Sequence, residues 1–104
     1  MTRFANKVAV VTGAGQGMGR AIAQRLIREG ARVVAVDVQE ASARETIEQA
    51  GGDAAGVAQV CNIADSAAVK RLFAGVDERY GRLDVLVNNA GIGSAKGDGF
   101  AKLL

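Results

Sequence analysis

The protein has 104 residues, of which 49% are hydrophobic and 23% charged, with 13 lysines and arginines against 11 aspartates and glutamates. These values predict one small globular domain with neither a basic surface for nucleic acid nor a membrane-spanning segment, and we expect it in the cytoplasm. The absence of histidine excludes imidazole catalysis and histidine metal ligands, so no metal site is predicted, and the single Cys61 excludes an internal disulfide.

Apolar, β-branched runs alternate along the chain with segments of helical periodicity. The sequence predicts strands over residues 7–11, 32–38, 55–61 and 84–88, and helices over 19–29, 40–50 and from Asp65 or Ser66 to Tyr80. Such alternation is typical of βαβ units. We therefore expect an α/β, doubly wound parallel sheet in the strand order 3-2-1-4, with the first two helices on one face and the third on the other.

A glycine cluster, TGAGQGMG, joins the first strand to the first helix over residues 12–19. The first N–H groups of a helix lack intrahelical partners, and glycines keep side chains clear of them, so a phosphate can bind there. A P-loop is excluded because no glycine precedes a lysine, and a strict Gly-x-Gly-x-x-Gly also fails. The spacing that remains is Thr12-Gly13-x-x-x-Gly17-x-Gly19, and the alternative is a tight turn without a ligand.

Asp37 ends the second strand, 18 positions after Gly19. In Rossmann-type dinucleotide sites an acid about 20 residues beyond the glycines accepts hydrogen bonds from the adenosine ribose. Such a carboxylate favours NAD and repels the 2′-phosphate of NADP, and neither Val38 nor Gln39 supplies a compensating cation. We therefore predict a preference for NAD over NADP. The alternative is that Asp37 is only a solvated residue at the end of a strand and binds no cofactor.

The glycine spacing resembles that of the short-chain dehydrogenase/reductase family. Cys61-Asn62-Ile63 is similar to the family's adenine-contacting segment, although an aspartate is usual at the position of Asn62, and 88–91, NNAG, is similar to the motif after its fourth strand. The resemblance implies a structural role for Asn88, which would tie neighbouring strands together. It implies a nicotinamide dinucleotide bound by Gly13, Gln16, Gly17, Met18, Gly19, Asp37, Asn62, Ile63, Asn89, Ala90 and Gly91.

The family's catalytic serine and its Tyr-x-x-x-Lys motif have no counterpart in this sequence. The one tyrosine, Tyr80, is followed at the fourth position by Asp84 and lies on the apolar stripe of the third helix, which predicts packing. We therefore assign no catalytic residue and expect the chain to be inactive alone. Residues 1–91 are predicted to form the NAD-binding part of a truncated Rossmann fold, and 92–104 a loop and the start of another helix.

Three functions remain open at this point. The chain is part of a dehydrogenase that needs further sequence for hydride transfer, a stand-alone NAD-binding module, or an inactive, self-associating fragment. The V-L-V segment of the fourth strand is apolar on both sides and, in this order, lies at a sheet edge that this segment does not protect with a charge or a proline. A homo-oligomer is expected, paired through residues 85–88 or with the edge covered by Phe100, Leu103 and Leu104.

Overall fold

A computed structural model describes residues 3–89 of the chain. In that part, strands and helices alternate as β1 Val8–Thr12, α1 Gly17–Arg28, β2 Arg32–Asp37, α2 Glu40–Gln49, β3 Gly56–Val60, α3 Ser66–Tyr80 and β4 Val85–Asn88. A short 3-10 helix, Gly52–Ala54, lies between α2 and β3. None of the helices among these residues is long and apolar enough to cross a bilayer.

The four strands form one parallel sheet in the order β3-β2-β1-β4, which confirms the predicted Rossmann-type topology. Strand β1 is central, with Val10 paired to Val34 on one side and to Leu86 on the other. All five residues of β1 are buried, because helices cover both faces of the sheet there.

The core has two layers, one on each face of the sheet. Alternate residues of β1, Ala9 and Val11, pack with α1 and α2, whereas Val8 and Val10 pack with α3. This placement agrees with the prediction that the first two helices lie on one face of the sheet and the third on the other. Each fully buried valine contributes roughly 1.5–3 kcal/mol relative to an exposed one, so the valine-rich strands supply much of the driving force for folding. Tyr80 packs against the α3 layer, as predicted.

Two helices differ from their predicted limits or faces. Helix α1 begins at Gly17, two residues before the predicted start. In α2 the predicted apolar stripe included Ala50, but Ala50 is half-buried, whereas Thr46 is completely buried. A threonine is stable at that depth because its hydroxyl finds hydrogen-bond partners, one of which is the carbonyl of Ala14 in the glycine loop between β1 and α1.

A carboxylate fastens the start of β4 to the start of β1. Asp84 Oδ2 accepts a hydrogen bond from the backbone N–H of Val8 at 2.8 Å, and the N–H of Asp84 donates to the carbonyl of Val8 at 2.8 Å. Arg82 donates to both oxygens of the same carboxylate, each at 2.8 Å. The hydrogen bonds from Arg82, followed by that from Val8, lower the pKa of Asp84 to about 2.

We predict that Asp84 stabilises the fold near neutral pH and that this stabilisation is lost in acid. Because the folded pKa lies below the unfolded value, its contribution is complete above about pH 4 and is lost as the pH falls toward 2. Asp84→Asn should lower the melting temperature at pH 7 and make its decline between pH 4 and pH 2 shallower than in the unmodified chain. Asp53→Asn, at an exposed carboxylate of the 3-10 helix, is the control, and equal slopes for all three proteins would contradict the prediction.

Candidate nucleotide site

The glycine loop, residues 13–16, lies at the carboxyl end of the sheet between β1 and α1. Gly13 and Gly17 have φ of 63° and 57°, a conformation that residues with a side chain rarely adopt. At Gly19 the constraint is space, since an added Cβ would lie 1.9 Å from the carbonyl oxygen of Gly13. The backbone therefore favours glycine at Gly13 and Gly17, and the space at Gly19 requires it.

The N-terminus of α1 is open to an anion. Gln16 makes no capping hydrogen bond through its side chain, and the first turn contains no acidic residue. By contrast, Asp65 caps α3 by accepting from the N–H groups of Ala67 and Ala68. A Cβ added at Gly17 would meet nothing within 4 Å in the structure. The space and the backbone donors fit a phosphate group at the positive end of the helix.

The carbonyl groups of the glycine loop face the protein instead. Three successive carbonyl oxygens each accept a hydrogen bond from a side chain of a different part of the fold. The pairs are Asn89 Nδ2 to Gly13 O at 3.3 Å, Thr46 Oγ1 to Ala14 O at 2.7 Å, and Arg20 Nη2 to Gly15 O at 2.6 Å. The loop is thus held through its acceptors while the donors at the start of α1 stay available.

Arg20 and Thr46 are site residues that the sequence reasoning missed. Thr46 follows Ala43 by three positions and precedes Ile47, so it lies on the apolar stripe of α2. A hydroxyl on such a stripe is the signal that could have pointed to a buried polar contact. Gly15 was missed as well, and it is buried where the loop passes α2.

Asp37 lies at the carboxyl end of β2, beside the loop. Its Oδ2 accepts from the N–H of Gly15 at 2.9 Å, and its Oδ1 accepts from the N–H of Gln39 at 3.1 Å. The residue is partly exposed. Because each carboxylate oxygen carries two lone pairs, both oxygens retain the capacity to accept a hydrogen bond from a ligand hydroxyl.

A cavity of about 100 Å³ adjoins Asp37 at the ends of β2 and β3. It is lined by Gly13, Val36, Asp37, Val38, Cys61, Asn62 and Ile63. Burial raises the pKa of the Cys61 thiol, which keeps that wall of the cavity neutral. Asn62 Oδ1 accepts from the N–H of Ala64 at 3.0 Å, so the asparagine is oriented by its own turn. The cavity is apolar enough and near enough to Asp37 to suit a nucleobase.

The remaining predicted site residues are distributed around the loop. Gln16 and Met18 are exposed at its outer side. Asn88 Oδ1 accepts from the Thr12 hydroxyl at 3.3 Å, a contact between β4 and β1. Ala90 and Gly91 lie outside the described residues.

A larger cavity of about 380 Å³ lies between β3 and α3, where Val57, Arg71 and Tyr80 are among its lining residues. It contains none of the predicted site residues and no amide of the glycine loop. This cavity is therefore separate from the glycine loop and from Asp37.

A parallel sheet that carries a glycine loop after β1 and an acid after β2 defines a Rossmann-type nucleotide-binding fold. Residues 7–103 match the family model described as short chain dehydrogenase. The chain therefore belongs to the short-chain dehydrogenase family, whose members are oxidoreductases that use nicotinamide cofactors.

Similar proteins include enzymes with different names. The chain is 50% identical over 95 residues to the 3beta-hydroxysteroid dehydrogenase of Mediterraneibacter gnavus, covering 88% of this chain and 34% of that enzyme. It is 43% identical over 91 residues to the D-threitol dehydrogenase of Mycolicibacterium smegmatis, covering 86% and 35%. A hydroxysteroid dehydrogenase from Escherichia coli superimposes with a TM-score of 0.80 at 32% identity, covering 86% of this chain and 39% of that one. The chain thus spans about a third of the length of the curated relatives it matches.

We predict that the glycines differ in what they tolerate. Gly19→Ala forces a Cβ onto the Gly13 carbonyl and should lower the free energy of unfolding by about 3 kcal/mol or more. Gly17→Ala has room but an unfavourable φ, and should cost about 1–2 kcal/mol. Urea unfolding measures both.

Gly75→Ala in α3 is the matched control. An added Cβ there meets nothing within 4 Å, so alanine at this exposed position should stabilise the helix by about 0.5–1 kcal/mol. If Gly19→Ala is as stable as the unmodified chain, α1 does not approach the carbonyl of Gly13 as closely as described, and the prediction is contradicted.

Proposed function

We propose that this chain is the NAD-binding part of an oxidoreductase that transfers a hydride between a nicotinamide cofactor and an alcohol or carbonyl substrate. The observation that carries the proposal is the glycine loop, whose three carbonyl oxygens are bonded by side chains while α1 begins without a side-chain cap. Such an arrangement supports the binding of a pyrophosphate. A cytoplasmic location stays a prediction from the sequence.

In this proposal each part of the site holds one part of the dinucleotide. Backbone amides at Gly17 to Gly19 bind the pyrophosphate, Asp37 accepts from the adenosine ribose, and the cavity beside Asn62 and Ile63 takes the adenine. Ala90 and Gly91 are proposed from the family motif alone. When bound, the nicotinamide supplies or accepts the hydride, whereas this chain binds and orients the cofactor.

The preference for NAD rests on the charge beside the ribose position. A 2′-phosphate would bring a second anion against Asp37, and Val38 and Gln39 contribute no cation. The guanidinium of Arg20 donates to Gly15 O and is paired with Glu45 at 2.8 Å. It is therefore engaged with the loop and α2 rather than available as a phosphate ligand.

The similar enzymes support a role in cofactor binding more than in substrate choice. One is named for a hydroxysteroid and another for D-threitol, which are chemically different substrates, yet the chain is similar to both over nearly the same share of its length. A segment shared by such enzymes is expected to bind what they have in common. We therefore propose no particular substrate for the whole protein.

We predict that the chain binds NAD more tightly than NADP and that Asp37 causes the difference. Loss of a hydrogen bond to a charged group costs about 1.5–3 kcal/mol, so Asp37→Ala should weaken NAD binding roughly tenfold to a hundredfold. The same variant should bind NAD and NADP with more similar affinities than the unmodified chain does. Calorimetric titration of both nucleotides measures this, with Asp53→Ala as a control that leaves binding unchanged. Tighter binding of NADP than of NAD by the unmodified chain would overturn the assignment.

A second candidate, a self-associating chain, is favoured by the exposure of β4. In the part of the chain that the structure describes, β4 pairs only with β1, and Leu86 at its centre is 48% exposed. A sheet edge with an exposed leucine offers unpaired backbone groups and apolar surface to another chain. We propose a homo-oligomer formed through this edge.

Light scattering tests the association. We expect a mass above that of the monomer at tens of micromolar, and Leu86→Lys should shift it toward the monomer because a charge opposes edge pairing. Val60→Lys is the matched control, since Val60 is 49% exposed on the opposite edge strand, β3. A stable monomer, or equal effects of the two variants in chains that remain folded by circular dichroism, would exclude pairing through β4.

A further inference from the structure

We propose that Thr46 and Arg20 are positioning residues that set the strength and selectivity of NAD binding, because they hold the glycine loop against Asp37. The inference rests on the proposed function of the site, and it assigns to α2 a part in cofactor recognition. Three steps connect Thr46, on α2, to the carboxylate at the end of β2.

The first step is the contact between Thr46 and the loop. Thr46 is completely buried, and its hydroxyl donates to Ala14 O at 2.7 Å, with the carbonyl of Ser42 at 3.1 Å as the weaker alternative. The hydroxyl oxygen of Thr46 also accepts a hydrogen bond from Arg20 Nε at 3.0 Å. Ala14 is also fully buried. Without the Thr46 hydroxyl, the buried carbonyl of Ala14 would have no hydrogen-bond donor and no access to water. The loop would then have to move so that this carbonyl finds another donor.

The second step is the guanidinium of Arg20, which bridges α1, the loop and α2. Its Nη2 lies 2.6 Å from Gly15 O, 3.2 Å from Ser42 O and 2.8 Å from Glu45 Oε1. Together with the hydrogen bond from Nε to Thr46, these contacts fix the planar guanidinium group in one orientation. A lysine at this position would keep the charge but could not make the contacts of both nitrogens at once.

The third step is the peptide of Gly15, which connects this clamp to Asp37. Its carbonyl accepts from Arg20 while its N–H donates to Asp37 Oδ2. A Cβ at Gly15 would lie 2.7 Å from the Cβ of Ser42 and 2.8 Å from Asp37 Oδ2, so the loop is packed directly between α2 and the carboxylate. A shift of the loop therefore changes the orientation of the carboxylate that accepts from the ribose.

Selectivity follows from this geometry, because it is a difference between two affinities. Repulsion of the NADP phosphate needs only a negative charge nearby, and it survives small movements of the carboxylate. Hydrogen bonds to the ribose of NAD need the correct orientation and are lost when the carboxylate moves. Releasing the clamp should therefore weaken NAD binding more than NADP binding.

The test compares Thr46→Val, which removes the hydroxyl at nearly constant shape, with Thr46→Ser, which keeps it. Calorimetry gives the dissociation constants of NAD and NADP, and hydrogen exchange followed by NMR gives the protection of the Gly15 amide. Thr46→Val should weaken NAD binding about tenfold, narrow the NAD/NADP ratio and reduce the protection of Gly15 by a similar factor. Thr46→Ser should keep the NAD affinity, the NAD/NADP ratio and the protection of Gly15 close to those of the unmodified chain.

Arg44→Gln is the control, because it removes an exposed ion pair with Glu40 on the same helix without touching the loop. If Thr46→Val does not fold, Arg20→Lys serves in its place and should reduce the same quantities. A folded variant with a lower melting temperature but an unchanged nucleotide ratio and unchanged Gly15 protection would overturn the inference. If the unmodified chain binds neither nucleotide, the proposed function fails, and the inferred role in NAD selectivity fails with it. Loss of Gly15 protection in the variants would then establish only that the clamp holds the loop.

Discussion

The contact between the backbone of α1 and the carbonyl of Gly13 sets the geometry on which the site depends. No side chain fits at Gly19, because its Cβ would lie 1.9 Å from that oxygen. The helix can therefore begin directly above the end of β1, the central strand of the sheet. In that position the first N–H groups of α1, which have no side-chain cap, lie at the carboxyl end of the sheet. The end of β2 and the cavity at the end of β3 lie there too.

A tight loop of this kind must find partners for its carbonyl groups without using the donors that a ligand needs. The structure separates the two sets. The loop carbonyls accept from Asn89, Thr46 and Arg20, which come from different elements. A buried backbone oxygen left without a donor costs about 1–3 kcal/mol, and Ala14 and Gly15 of the loop are buried. Polar side chains on α1 and α2 are thus a condition for a stable, open anion site.

The sequence was sufficient for the fold because its signals are local. The β-branched run within residues 7–11, the helix start at Asp65 and the glycine spacing each depend on a few neighbouring residues. The βαβ rule then fixes the sheet order. The positions of Gly13, Gly19 and Asp37 at one edge followed from that order. These elements were predictable without any knowledge of contacts between distant residues.

The clamp was not predictable in the same way. Arg20 and Thr46 are 26 positions apart, and each has an ordinary local explanation, as a surface arginine and as a weak helix former. Their roles appear only when α1 and α2 pack side by side on the sheet. The same applies to Gly15, whose small size is required by Ser42 and Asp37 rather than by its own φ.

Asp37 connects these observations with recognition. Two backbone N–H groups, from Gly15 and Gln39, hold its carboxylate before any ligand arrives. A side chain that is already fixed loses little conformational entropy on binding, and an immobilised side chain otherwise costs about 0.5–1.5 kcal/mol. The fixed carboxylate also keeps its negative charge at one place, which is the basis of the proposed preference for NAD over NADP. The hydrogen bond that holds the loop against β2 thus also fixes the carboxylate that we propose accepts from the ribose.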